Sequence, residues 1–225
     1  SVGYQILRLY RRGSCTMTKY FSSDDLMNLD SFYRRNLVNC LSGYKSLNLI
    51  GTRSLSGTSN LAPFSQVFHI GAAPPLVGIL FRPHTVKRDT LENILETNCF
   101  TLNQVTPGFY KEAHWTAANW EGSEFEATGL EEDFKGDFLA PYVKGSPVQL
   151  GCTLVETQTL KVNQTVLLIG SIDHIYVEEK GLRTDGSLDL NILETVTVSG
   201  LDEYHLGEKL ARLSYSKPGV YPVEI

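Results

Sequence analysis

Thr52 to Ser65 reads TRSLSGTSNLAPFS, a stretch that joins hydroxyls, a glycine and small residues to an incipient strand. Gly57 permits unusual dihedrals and a close approach of main chain to a ligand, while Ser56, Thr58 and Ser59 supply hydroxyls and N–H groups of the kind that gather around an anion. Further on, FRPHTVKRDT (Phe81 to Thr90) brings Arg82, Lys87 and Arg88 to the start of a helical pattern, and arginine can grip phosphate bidentately. Asp89 and Glu92 would oppose a phosphate on that helix axis, so the cations must outweigh them. Composition alone leaves plainer readings open, a polar loop between strands and a solvated basic turn. The chemistry on offer is capture of a phosphate. No Ser–His–Asp or paired-carboxylate constellation can be placed, and His69, His84, His114, His174 and His205 stand singly, so no catalytic residue is assigned.

The elements that must position these groups are read from periodicity. From Asp24 the chain reads as a helix, with Leu26, Leu29, Phe32 and Tyr33 on one face, Ser23 or Asp24 as N-cap and a break at Gly43. KSLNLIGT reads as a strand feeding the polar loop, and PFSQVFHIG, LVGILF and CFTLNQV as further strands, the first beginning at Pro63. Between the last two lies the helix DTLENILETN, with Asp89 and Glu92 as a capping box, Leu91, Ile94 and Leu95 as buried stripe and Asn98 as stop. Residues 107–129 turn polar and aromatic and read as one or two short helices forming a lid or an interface, with Trp115 and Trp120 as candidate ring covers or dimer contacts. SPVQLGCTLVETQTL and TVLLIGSIDHIYVEE read as an antiparallel pair, Asp185-Gly186 as a hairpin signal, ETVTVSG as a short strand, and GEKLARL as a short helix before an extended tail. Seven or so strands with few helices point to a mainly β barrel of Greek-key type with peripheral helices, since strands and helices do not alternate.

Composition narrows the classes. The chain has 225 residues, 42% hydrophobic and 20% charged, with net charge -5, as expected of one globular domain. No basic run exceeds the pair Arg11 and Arg12, so neither nucleic acid nor an anionic membrane is an expected partner. Cys15, Cys40, Cys99 and Cys152 form no CxxC pair and have no neighbouring His at ligand spacing; they read as reduced core thiols, with no metal site. No run reaches the roughly 18 apolar residues that span a bilayer. The segment before Met17 has the reverse order of a signal peptide and reads as an upstream extension, so a cytoplasmic location is expected.

Taken in order, GTSNLAPFS, PPLVGILFRP, RDTLENILETNCFTLN, FEATGL, GSPVQLGCTL, LLIGSIDHIYVEE, TDGSLDL and VSGLDEYHL resemble the flavin-reductase-like FMN-binding split-barrel family over about residues 40–205. The resemblance implies an FMN-binding split β-barrel, a homodimer with FMN at the subunit boundary and, for many members, NAD(P)H-dependent reduction of a flavin passed to a partner such as a monooxygenase. It implies that Thr58, Ser59, Asn60, Leu61, Ala62, Pro63, Phe64 and Ser65 line the phosphate, ribityl chain and ring edge, and that Arg82, Arg88 and Thr90 meet the phosphate. Phe81, with Ile79 and Leu80, would wall the ring. Residues 1–39 are then an N-terminal extension and helix, 40–205 the flavin domain, and 206–225 a C-terminal helix and tail. Two rivals use the same residues: a non-catalytic FMN carrier or electron-transfer module, and an interaction barrel without cofactor.

Overall fold

The computed structural model describes residues 18–83 and 88–225. His84, Lys87, Cys15 and the pair Arg11 and Arg12 lie outside the described residues.

The large sheet contains β2 (Asn48–Arg53), β3 (Ser59–Phe64), β4 (Val67–Ala72), β5 (Pro75–Phe81), β6 (Cys99–Gln104), β9 (Val148–Thr159) and β10 (Val166–Val177). Its order is β3-β2-β6-β9-β10-β5-β4, antiparallel throughout. The two edge strands, β3 and β4, are consecutive in the chain and joined only by Ser65 and Gln66. A seven-stranded sheet whose opposite edges are two residues apart must curl on itself. The carbonyl of Gln66 accepts from the N–H of Leu80 at 3.0 Å, but β3 and β4 do not pair, so the barrel is split along this seam.

Side-chain alternation fills both faces of the wall. Along β2, Leu49 and Ile50 are both fully buried on opposite sides. Ile50 joins Val77, Ile79, Phe81, Phe100, Leu102, Cys152 and Leu168 inside the barrel, where Leu91 and Ile94 of α3 (Asp89–Thr97) also pack. Leu49 joins Leu61, Val105, Val143, Val196 and Val198 outside it. There, α4 (Tyr110–Trp115) contributes Ala113 and α5 (Glu124–Thr128) contributes Phe125. A small sheet of β1 (Lys45–Ser46), β11 (Val196–Ser199) and β12 (Glu203–Leu206), and the pair β7 (Glu132–Asp133) and β8 (Tyr142–Val143), complete the strands.

Several sequence expectations are corrected. The N-terminal helix is two, α1 (Ser23–Asn28) and α2 (Ser31–Cys40), because Asp30 caps the second by accepting from the N–H groups of Phe32 and Tyr33 at 3.0 Å each. Ser22, not Ser23 or Asp24, caps the first, and neither helix buries a residue. The run PFSQVFHIG is divided at Ser65–Gln66, and β3 starts at Ser59, four residues before Pro63. Helix α3 stops at Asn98 in the left-handed region (φ 57) as expected, but its N-cap is Arg88 with no side-chain cap bond, and Leu95 is exposed. Cys99 and Cys152 are buried free thiols, whereas Cys40 is exposed. In the tail, 207–225 is extended, with isolated bridges Leu213–Glu224 and Lys217–Val220 in place of a helix. Among the described residues no helix is long and apolar enough to cross a membrane.

Candidate functional site

Asn60, Arg88 and Thr90 converge where the seam meets the start of α3. Asn60 on β3 donates through Nδ2 to Thr52 Oγ1 at 3.2 Å and to Thr90 Oγ1 at 2.9 Å, and Asn93 donates to the same Thr52 oxygen at 3.1 Å. This buried network ties the first turn of α3 to the edge of the barrel. Thr90, used here as an acceptor, keeps its own hydroxyl proton to donate. Beside it, Nε of Arg88 is buried with no partner among the described residues. Leaving such a donor unmatched costs about 1–3 kcal/mol, a cost that an anion arriving there would remove.

These groups form one end of a cleft of about 420 Å³, a size suited to a cofactor. From the anion end, the cleft runs along β3 past Asn60 and Ala62 to Pro63, Phe64 and Ser65, with Leu80, Phe81 and Arg82 opposite. Alternation along β5 sends Ile79 and Phe81 into the core, where the Phe81 and Phe64 rings meet edge-on at 4.9 Å. Leu80 between them lines the cleft, whereas Ile79 does not. Ala62, Pro63, Phe64 and Leu80 offer an apolar stretch, and Arg82, Arg88 and the Thr90 hydroxyl offer donors against the carboxylates of Asp89 and Glu124 in the same cleft. Where the arginines outweigh those carboxylates, the residues present fit a flat ring system that carries a phosphate, as flavin mononucleotide does.

Of the residues singled out in the sequence, Asn60, Ala62, Pro63, Phe64, Ser65, Phe81, Arg82, Arg88 and Thr90 line this cleft, and Thr58, Ser59 and Leu61 do not. Leu61 turns its side chain into the outer core. Thr58 belongs to a tight turn closed on itself: Ser54 N–H donates to the Thr58 carbonyl at 2.9 Å, Thr58 N–H to Ser54 Oγ at 3.1 Å, and Arg53 Nε to the Gly57 carbonyl at 2.9 Å. Gly57, at φ 91, makes that turn possible. Trp115 and Trp120 meet edge-on at 4.9 Å and do not line the cleft; the adjacent Thr116 and Ala117 do. His114 Nδ1 is hydrogen-bonded to the Tyr204 hydroxyl at 2.5 Å, fastening this segment to β12.

Sequence reasoning missed Asn39, Gln66, Thr116, Ala117, Glu124 and Leu201, which also line the cleft. Glu124 is half-buried, and its carboxylate accepts from the Leu61 N–H at 2.9 Å. Burial pushes its carboxyl above the ordinary value of 4.5, the Leu61 N–H opposes this, and the charge of Asp89 adds to it. A raised folded value means that the native state holds more protons than the unfolded chain, so stability falls as pH rises from about 4.5 through the folded value. Glu124→Gln is therefore expected to flatten the fall in melting temperature across that window and to leave the neutral-pH protein at least as stable, as thermal melts at several pH values would show.

The sequence profile described as the flavin reductase like domain matches residues 45–191. The chain belongs to this family. This flavin reductase-like protein resembles a candidate flavin reductase with split barrel domain from Shewanella frigidimarina NCIMB 400. The two are 44% identical with a TM-score of 0.85, over 88% of this chain and 100% of that one. It shares its fold with nitrilotriacetate monooxygenase component B from Bacillus cereus, at 20% identity and a TM-score of 0.76, over 87% of this chain and 99% of that one. It is also 29% identical over 114 residues to an uncharacterized protein of Aquifex aeolicus, a match that covers 49% of this chain and 58% of that protein. The flavin reductase-like protein is thus a mainly β split barrel of a flavin-related oxidoreductase family.

Proposed function

We propose that the protein binds FMN in the cleft and acts as an NAD(P)H-dependent flavin oxidoreductase. The observation that carries this reading is the buried Nε of Arg88, without a partner among the described residues, beside Thr90 at one end of the cleft. Arg82, Arg88 and Thr90 would hold the phosphate, and Pro63, Phe64 and Leu80 the ring, with residues 40–205 as the flavin domain. Bound flavin supplies the hydride chemistry, and the protein's part is to bind, orient and shield it. That division of labour fits a cleft whose described residues include no nucleophile–base pair.

Homodimerisation is part of the proposal. Met27, Phe32 and Leu41 in and just after the N-terminal helices, and Leu210, Tyr215 and Tyr221 in the tail, are each more than 60% exposed, apolar side chains that a second copy would cover. The acceptor would be a free flavin, a small molecule or a partner enzyme, and the Bacillus cereus neighbour's description as a monooxygenase component favours the last.

Ala62 faces the cleft from β3 opposite Ile50 of β2. Ala62→Phe should fill the slot, and loss of bound flavin with a melting temperature little changed is the expected result. Stopped-flow mixing of the FMN-loaded protein with NADH and with NADPH tests the reductase reading, which requires that at least one nucleotide bleach the flavin. Bleaching by dithionite alone would replace the reductase with a carrier or partner-fed module.

A further inference from the structure

Strand β3 runs along the cleft and serves as a ruler, advancing about 3.4 Å per residue. At one end Asn60 is bonded to Thr90, which shares the anion end with Arg88. At the other, Pro63 and Phe64 form the apolar slot. Glu124 is fixed between these ends, because its Oε2 is held by the N–H of Leu61, one residue beyond Asn60, and both neighbours of Leu61, Asn60 and Ala62, line the cleft together with Glu124 itself. A carboxylate therefore stands where a ligand with its phosphate at Arg88 and its ring at Phe64 must pass the chain that joins the two.

That position sets a chemical requirement. A carboxylate is acceptor-only and takes up to about four hydrogen bonds; the N–H of Leu61 takes one, and Glu124's own N–H also bears on the group. The charges that share the cleft with it are Asp89, from α3, and the cations Arg82 and Arg88. A linker of bare methylene groups laid against the remaining acceptor sites would strip them of water and return nothing. A linker bearing hydroxyls would donate to them through charge-assisted hydrogen bonds, about twice as strong as neutral ones.

Resting on the FMN reading, we propose that Glu124 is a specificity residue that accepts hydrogen bonds from the hydroxyl groups of the ligand's linker, so that the cleft selects a polyol chain between ring and phosphate. Glu124 itself stands just before the FEATGL run, and no sequence motif assigns it a role.

The test compares dissociation constants of FMN and of a flavin phosphate carrying an unhydroxylated alkyl linker of the same length, for the full chain and for Glu124→Ala and Glu124→Gln. Gln keeps an amide oxygen for the Leu61 N–H, so a folded control is available, and a thermal melt of each variant checks it. The unaltered protein is expected to prefer FMN by about tenfold or more, the worth of one hydrogen bond to a charged group. Glu124→Ala should abolish most of that preference by weakening FMN alone, with Glu124→Gln between. Equal weakening of both ligands, or an unchanged ratio, would reduce Glu124 to a brace for β3 and overturn the inference while FMN binding stood. If the unaltered protein held FMN no more tightly than riboflavin, the FMN reading itself would fall, and the inference with it.

Discussion

Replacing Arg88 with alanine is expected to weaken FMN binding by about 1.5–3 kcal/mol, roughly 10- to 150-fold, the range for a charge-assisted bond removed from a partly buried site. Riboflavin, which lacks the phosphate, should bind the altered and unaltered proteins almost equally. The effect should be this large because Arg88 is held, not floating: it is the N-cap residue of α3, its Nε is buried, and the neighbouring Thr90 is fixed by Asn60. Arg82 is exposed and lines the same cleft, so Arg82→Ala should cost less. Fluorescence titrations with both flavins give the four constants, and a loss of equal size for riboflavin would place the phosphate elsewhere.

Phe100→Ala is the substitution expected to damage the fold most, by about 3–5 kcal/mol, because it empties a packed interior. Phe100 is fully buried on β6 in the middle of the barrel wall, among Ile50, Ile79, Phe81 and Leu168. Its ring occupies the space that Gly170 of β10 leaves free: a Cβ added at Gly170 would lie 2.6 Å from the ring's Cζ. Loss of the ring leaves a void that the surrounding strands cannot close. Urea unfolding at unchanged m-value measures the loss, and a fall in melting temperature of roughly 6–20 °C should accompany it. A change below about 1 kcal/mol would mean that the core collapses around the gap, contrary to the close packing described above.

How far the sequence reveals this molecule depends on whether the deciding contacts are local. The paired strands β9 and β10 are legible because their β-branched runs flank a short polar turn, and the end of α3 because Asn98 adopts the left-handed conformation that stops it, whereas its start is capped by the backbone of Arg88 and not by the expected Asp89–Glu92 box. The seam is not legible: Ser65 and Gln66 carry no glycine or proline to mark a turn, so PFSQVFHIG reads as one strand. The tail GEKLARL has a helical spacing, but a helix there would have no face to bury, and Leu210 is 95% exposed. In the site, the arginines and Thr90 stand out by residue type and the loop by its glycine and hydroxyls, although that glycine turn closes on itself away from the cleft. Glu124 leaves no local trace, since its partner Leu61 lies 63 residues earlier and only the folded barrel brings them together. The same holds for Thr116 and Ala117, which come from a loop after α4, and for Leu201, whose turn is part of the VSGLDEYHL run but lies far from β3 in the chain.

The central claim is that the cleft at the seam is built for a flavin carrying a phosphate. The most direct measurement is the visible absorption spectrum of the protein as isolated and after addition of FMN and gel filtration, with the released chromophore identified by chromatography. A flavin spectrum that travels with the protein, released as FMN, is the expected result. A protein that stays colourless after FMN is added in excess would contradict it.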